Sequence, residues 1–524
     1  LRPSLYYHFA RLWQKKPDTF WEVFWYIRGR ADTNIRLFGR LLPTSVIVQE
    51  ARSTDQLLPL LAALSDPHKE GGEAILHTLQ ALRAFQNEPD TLLAENDALW
   101  VQFLRALVDH MDNFFAWEFA FVASDICARA NKRGDGQILH VCGEISRKFL
   151  EWIWVQRNDA QKKEWSDALG AHWVVPLVIK TYSTDPKRSR EILEVVLQVM
   201  REENFPLSYI MELSEHVDKI WPYDPNFAAE VYRAVWTHTE ESNEQTRLGG
   251  GAALLQLYST RRQDLQACRY RLMEHAPNFL KDKPEAAIRA LIQCLNEYII
   301  INYIRSYGSN IEDIREEFSF HGKTTYYIPD GSYIWSWGSD VEEEIQMADK
   351  LYEFIRELVS SENGCTKIPT ILDNFQEHAQ VAYLWRRLLD LATQYPEALA
   401  PSLFDLCIAS PIMMHNETYE VLGNFLAVVT PLYTNEQVHC IEEAILGIPK
   451  EEIDPEEKEY FIRRRDRLLS KLPPDRLKTA EAREIITNMN AEYRSRLDEP
   501  IVTFSEGVTE FTEDDWLELQ GADL

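Results

Sequence analysis

Apolar positions recur along this chain at the spacing of a helix face. Trp100, Phe103, Leu104, Leu107 and Val108 fall at i, i+3, i+4, i+7 and i+8, as do Ile192, Val195, Val196, Val199 and Met200. Ala228, Val231, Tyr232, Val235 and Trp236 repeat the stripe, and Ile288, Leu291, Ile292, Leu295 and Ile299 come close to it. A single apolar face of this kind needs a neighbouring helix to cover it. Several predicted helices open on Asp-Pro: Asp66-Pro67, Asp185-Pro186, Asp224-Pro225 and Asp454-Pro455, with Lys283-Pro284-Glu285 as a variant. Asp accepts from the unpaired N–H groups of a first turn, and Pro at that position sacrifices no bond. The step from Asp185 to Asp224 is close to the roughly 40-residue period of HEAT-like repeats, and the other starts do not keep it. The pattern predicts an all-α chain, an irregular HEAT/TPR-like helical-repeat solenoid.

One segment departs from it. Phe318, Phe320, Tyr326 and Ile328 alternate, Pro329-Asp330-Gly331 reads as a turn, and Tyr333, Trp335 and Trp337 alternate beyond it. Pro and Gly at these places suit a type I turn, so an inserted β-hairpin is expected with its turn at 329–331. The blocks that follow are 1–200 and 201–317 (helical), 318–338 (hairpin), 339–497 (helical) and 498–524 (an acidic tail). Residues 450–472 carry acids before arginines, which complements a helix macrodipole; a solvated helix that stops at Pro473-Pro474 is the favoured reading, and an anion-binding arginine cluster the alternative.

Charge narrows the class. With 83 acidic and 55 basic residues the 524-residue chain carries a formal −28, unsuited to a nucleic-acid or anionic-lipid surface. Seven cysteines with no CxxC predict neither a disulfide framework nor a zinc site of common spacing, and a reducing cytoplasm fits them. No signal peptide or membrane span is expected. The first residue is Leu, and the chain is expected to be a segment of a longer protein.

Reaction chemistry is sparse. Gly322-Lys323-Thr324 resembles the end of a phosphate loop, but Glu317 stands where the first glycine is needed, so a strand is the better reading. Gly249-Gly250-Gly251 reads as a helix–helix loop. There is no HExxH and no GxSxG, and no catalytic, metal or cofactor residue is assigned. Two features remain as partner-binding candidates. Arg261 and Arg262 can fix a helix turn internally or hold an acidic partner, the internal role being favoured. Tyr326, Tyr327, Tyr333, Trp335 and Trp337 either pack against the helices, the favoured role, or form an aromatic anchor for a partner.

The run Tyr223-Asp224-Pro225-Asn226-Phe227, Val231 to Trp236, Glu240-Glu241-Ser242 and Ser259 to Asp264, with the hairpin residues, resembles the C-terminal helical sensor region of large bacterial STAND NTPases. These are NLR-like antiphage proteins of the Avs kind, and the resemblance covers mainly residues 205–337. It implies an effector and an NTPase elsewhere in a longer chain, a phage protein as partner, and oligomerisation through the rest of that chain. It assigns no contact residue. A cytoplasmic adaptor solenoid and a helical enzyme with an unrecognised site are the alternatives.

Overall fold

The computed structural model describes residues 2–28, 42–50, 56, 59–60, 72–84, 90–200, 202, 205–240, 260–305, 310–333, 343–361, 364–448, 455–490, 493–494 and 497. Among them the chain is all-α apart from one two-stranded hairpin and an isolated bridge. No helix of the described residues is long and apolar enough to cross a membrane. The chain divides into two compact units, Leu1–Tyr307 with Gly338–Ile355, and Gly308–Trp337 with Arg356–Leu524. The blocks expected from sequence are thus regrouped. Residue 200 is no boundary, because the helices either side of it pack together, and the hairpin groups with residues 356 onward, whereas 338–355 group with the first unit.

The first unit contains α1 (Arg2–Lys15), α2 (Pro17–Arg28), α3 (Thr44–Glu50), α4 (Gly72–Ala84), α5 (Asp90–Leu107), α6 (Ala116–Arg133), α7 (Gly136–Arg157), α8 (Lys163–Leu169), α9 (Val175–Lys180), α10 (Pro186–Val199), α11 (Ser208–Glu215), α12 (Pro225–Thr237), α13 (Thr260–Asp282) and α14 (Pro284–Ile299). From α4 onward the chain alternates between two layers. α5, α7, α10, α12 and α14 pack in succession in one layer, and α4, α6, α9, α11 and α13 in the other. From α5 onward, neighbours also pack across the layers. The predicted stripes on α5, α12 and α14 are buried throughout. On α10 the inward face is rotated: Leu193 is buried with Ile192 and Val196, while Val195 and Val199 are only half-buried.

The Asp-Pro reading is realised at two starts. Asp185 accepts from Arg188 N–H at 3.1 Å and Asp224 from Phe227 N–H at 2.9 Å. Asp224 also lies 3.2 Å from the Tyr182 hydroxyl, which ties the start of α12 to the turn before α10. α14 begins at Pro284 with no side-chain cap from Lys283. Asp66-Pro67 and Asp454 lie outside the described residues, although a helix does begin at Pro455.

Between α8 and α9 the chain makes a π-helical turn, Gly170–Val174, where Val175 N–H bonds Gly170 O. Such a wide turn leaves a carbonyl in need of a donor. Here the Tyr209 hydroxyl lies 3.3 Å from both Ser166 O and the Asp167 carboxylate, and Arg157 Nε donates to the same carboxylate at 2.8 Å. Tyr209 reaches this place because residue 170 has no side chain: a Cβ there would sit 2.3 Å from its hydroxyl oxygen. Gly170→Ala is therefore expected to destabilise the first unit by about 2 kcal/mol. Combined with Tyr209→Phe it should cost less than the sum of the two single changes, and a thermal-melt double-mutant cycle reads this.

In the second unit β1 (Glu316–Phe320) and β2 (Lys323–Tyr327) pair antiparallel with Phe318 opposite Thr325. The turn between them is His321-Gly322, both at positive φ (+50° and +71°), not Pro329-Asp330-Gly331 as expected from sequence. Two left-handed residues match the twist of the flanking strands, which a type I turn does not. The shift changes the parity of the second strand. Thr325 and Tyr327 point inward beside Phe318 and Phe320, and Tyr326 lies on the other face. After β2, Ile328 makes one parallel bridge to Val381, donating to Gln380 O at 2.8 Å and accepting from Ala382 N–H at 2.9 Å.

The hairpin's apolar face lies on α15 (Ile368–His378) and α16 (Ala382–Gln394). Trp385 of α16 is fully buried, with the rings of Phe318, Phe320 and Phe375 at 5.3, 5.6 and 6.1 Å, and its indole N–H donates to Tyr326 O at 3.2 Å. Beyond it come α17 (Ser410–Met414), α18 (Tyr419–Val429), α19 (Asn435–Leu446), α20 (Pro455–Lys471) and α21 (Ala480–Asn488), with α16 on α18, α18 on α20 and α20 on α21.

Candidate interaction site

The aromatic candidates part company in the structure. Tyr326 is half-buried on the outer face of the hairpin, with the Arg315 guanidinium 4.6 Å from its ring centre. Tyr327 is fully buried, its hydroxyl 3.0 Å from Thr418 Oγ1 and its ring stacked on His415 at 5.1 Å. It is a core residue and not a surface anchor, a consequence of the shifted strand parity. Tyr333 is 45% exposed. Trp335 and Trp337 lie outside the described residues.

Arg261 and Arg262 belong to the first unit and hold its own backbone. Arg261 bonds Glu240 through Nε and a terminal nitrogen, both at 2.9 Å, and donates to Phe205 O at 2.8 Å. Arg262 Nε donates to Glu240 O at 3.0 Å. A fork of fixed donors spanning two segments suits Arg, and these contacts are the internal role weighed above. Gly249-Gly250-Gly251 lies outside the described residues, and Gly322-Lys323-Thr324 forms the hairpin turn and the start of β2.

A cluster that the sequence pattern did not single out surrounds the loop after β2. Asp330 is buried, and its carboxylate accepts from Tyr383 N–H at 2.7 Å and Ser332 N–H at 3.0 Å. It thereby caps α16, whose own preceding residue, Val381, offers no acceptor. Glu417, also buried, accepts from Gly331 N–H at 3.0 Å, and Arg386 donates to Ser332 O at 2.7 Å. Burial pushes the Asp330 carboxyl up to about 7, opposed first by the Ser332 side chain and then by the N–H bonds, with Glu417's charge adding to the rise. The distance of 53 residues between Asp330 and Tyr383 hid this cap, since helix-start patterns look only a few residues upstream.

The arginines of α20 correct the reading of a solvated helix. Arg464 is 1% exposed, with its guanidinium carbon 4.3 Å from the Tyr419 ring centre and 4.7 Å from that of Tyr460. It donates to Met414 O and Asn416. Arg467 is buried as well and donates to the Tyr419 hydroxyl at 3.0 Å. Aromatic faces and backbone carbonyls replace water around these cations.

Two open grooves lie among the described residues of the first unit. One, of about 430 Å³, runs over α7 between Arg105 and Arg188; Arg105 pairs with Glu144 at 2.8 Å and Lys148 with Asp109 at 2.6 Å, while Arg147 donates to the Thr184 and Ser189 hydroxyls. The other, of about 530 Å³, lies beside α8 and includes Lys163, Asp167, His172 and Pro206. Burial raises the Asp167 carboxyl pKa against the opposing pull of Arg157. Among the described residues no group of three or more His, Cys, Asp or Glu side chains is placed to hold a metal ion. Compared with models of known protein families, with curated proteins and with solved structures, the chain matches none.

Proposed function

We propose that this chain is a non-catalytic helical scaffold that recognises a protein partner, as the target-sensing part of a bacterial antiphage STAND NTPase. The observation that carries the recognition role is the two-layer alternation from α4 to α14. Stacked helix pairs of this kind build solenoids, whose extended surfaces suit large partners. The polar groups within the stack serve to hold it: Asp97 binds two arginines of the next helix, Asp167 secures the wide turn, and Asp224 caps α12. The link to antiphage NTPases rests on the sequence resemblance. In this reading the chain acts in the cytoplasm, binds a phage protein, and passes the binding energy to the rest of a longer protein as a shift towards its active, oligomeric state.

The −28 charge points to a partner with basic patches, whose association weakens as salt screens the attraction. The test is affinity capture from phage-infected and uninfected bacterial lysates, with mass spectrometry, followed by direct titration of the purified partner at two salt concentrations. A phage protein captured only from infected cells, and binding less tightly at high salt, is the expected result. Host proteins captured equally from both lysates would replace the sensor with an adaptor.

A further inference from the structure

We propose that Asp330 and Glu417 form a pH-responsive latch that holds loop 329–333 on the first turn of α16 in mildly acidic conditions and loosens towards neutral pH. The geometry is that of two buried carboxylates sharing one short loop. Asp330 binds the loop's Ser332 N–H and the Tyr383 N–H of α16, while Glu417 binds Gly331 N–H from the start of α18. Among the described residues neither carboxylate has a cation within ion-pair distance. Their donors are backbone N–H groups together with the Ser332 side chain, and none of them is a cation.

The charged neighbours are otherwise engaged. From α16, Arg386 donates to Ser332 O and Arg387 to the Tyr383 hydroxyl. From the hairpin come Glu316, bonded to His415, and the buried Tyr327 hydroxyl, bonded to Thr418. From α20, Arg464 lies near enough to Glu417 for their charges to interact, but its donors go to Met414 O, Asn416 and Tyr460. Ionising Asp330 therefore places a second negative charge in a water-poor site without adding a bonded counter-cation.

The sign follows from linkage. The folded carboxyl titrates near 7, above its ordinary value of 3.8, so the closed loop binds the proton more tightly than the open one. The stabilisation is complete below the ordinary value and is lost as pH rises through the folded one. Tyr333 follows the latch directly, with Trp335 and Trp337 next in sequence. Loosening thus changes how Tyr333 is held. Its consequence for a partner rests on the protein-recognition reading, whereas the latch does not.

Hydrogen exchange of the Gly331, Ser332 and Tyr383 amides, corrected for intrinsic rates, tests the latch between about pH 5 and pH 7.5. Protection should fall by roughly tenfold or more in the wild-type chain. Asp330→Asn, uncharged and of the same shape, should remove that dependence. Glu417→Gln, made separately in case the first variant does not fold, should shift the midpoint to lower pH than in the wild type. Flat wild-type protection would overturn the latch, as would an Asp330→Asn profile that keeps the wild-type slope or a midpoint unmoved by Glu417→Gln. Partner capture at the two pH values is a separate reading: its failure with the exchange profile intact would overturn the recognition role and leave the latch standing.

Discussion

Trp385→Ala is expected to lower the unfolding temperature of the second unit by about 10 °C. The indole is fully buried among Phe318, Phe320 and Phe375, so its removal takes away both the apolar area and the edge-on ring contacts. Truncations of this kind cost about 3–5 kcal/mol, and each kcal/mol moves the midpoint of a unit this size by roughly 2–4 °C. The change also takes away the donor that Tyr326 O uses. Trp385→Phe keeps one ring in the site and loses the N–H, worth about 1 kcal/mol, together with the packing of the indole's second ring, so its cost should lie between that of the hydrogen bond alone and that of the alanine variant. Calorimetry of the full chain should show the second unit's transition moving while any transition of the first unit stays in place. A shift of only a degree or two for the alanine variant would mean that the hairpin is not held by this residue.

Asp97→Ala is expected to cost the first unit about 3 kcal/mol. The carboxylate, on α5, has a side chain only 1% exposed and receives Arg129 through Nε at 3.0 Å and a terminal nitrogen at 2.6 Å, with Arg133 at 2.6 Å. Removing one partner of a buried pair costs about 3–5 kcal/mol, because the opposite charge is stranded. The lower end applies here, since the two arginine side chains are 20% and 24% exposed and can turn partly to water. Urea unfolding measures the loss. Replacing Arg129 with Met in the same chain should recover part of it, and additive losses would show that the clamp is not a unit. Added salt should change this contribution little, whereas it should weaken the exposed Arg188–Glu191 pair.

Helix positions were legible in the sequence because each stripe is a local property of about two turns. Trp100 to Val108 and Ile288 to Ile299 are buried as their spacing required, and Asp185 and Asp224 cap the helices that their Asp-Pro steps announce. The hairpin was legible in kind but not in register. Pro329-Asp330-Gly331 has the composition of a turn, and His321-Gly322 forms the actual one, because strand twist rewards a pair of left-handed residues and His is an uncommon member of such a pair. That displacement of the turn, from 329–331 to 321–322, changed the strand parity and so decided which of Tyr326 and Tyr327 faces inward. What local patterns could not show was the use of Asp330, Glu417 and Arg464. Their partners lie 53, 86 and 50 residues away, and a buried charge looks like a solvated one until its neighbours are in place.

The two-layer alternation has a consequence for how the first unit is made. Its polar ties join residues close to one interval apart: Asp97 to Arg129 over 32 residues, Ser146 to Thr181 over 35, Tyr232 to Leu272 over 40 and Tyr182 to Asp224 over 42. A ribosome supplies that length in about 2–8 s at 5–20 residues per second, far longer than a helix takes to form. Each helix of the stack therefore leaves the exit tunnel to find its docking face already built by the two before it. Growth is one-directional, like brickwork laid on a finished course, and an apolar stripe waits uncovered only for the time needed to synthesise the next pair.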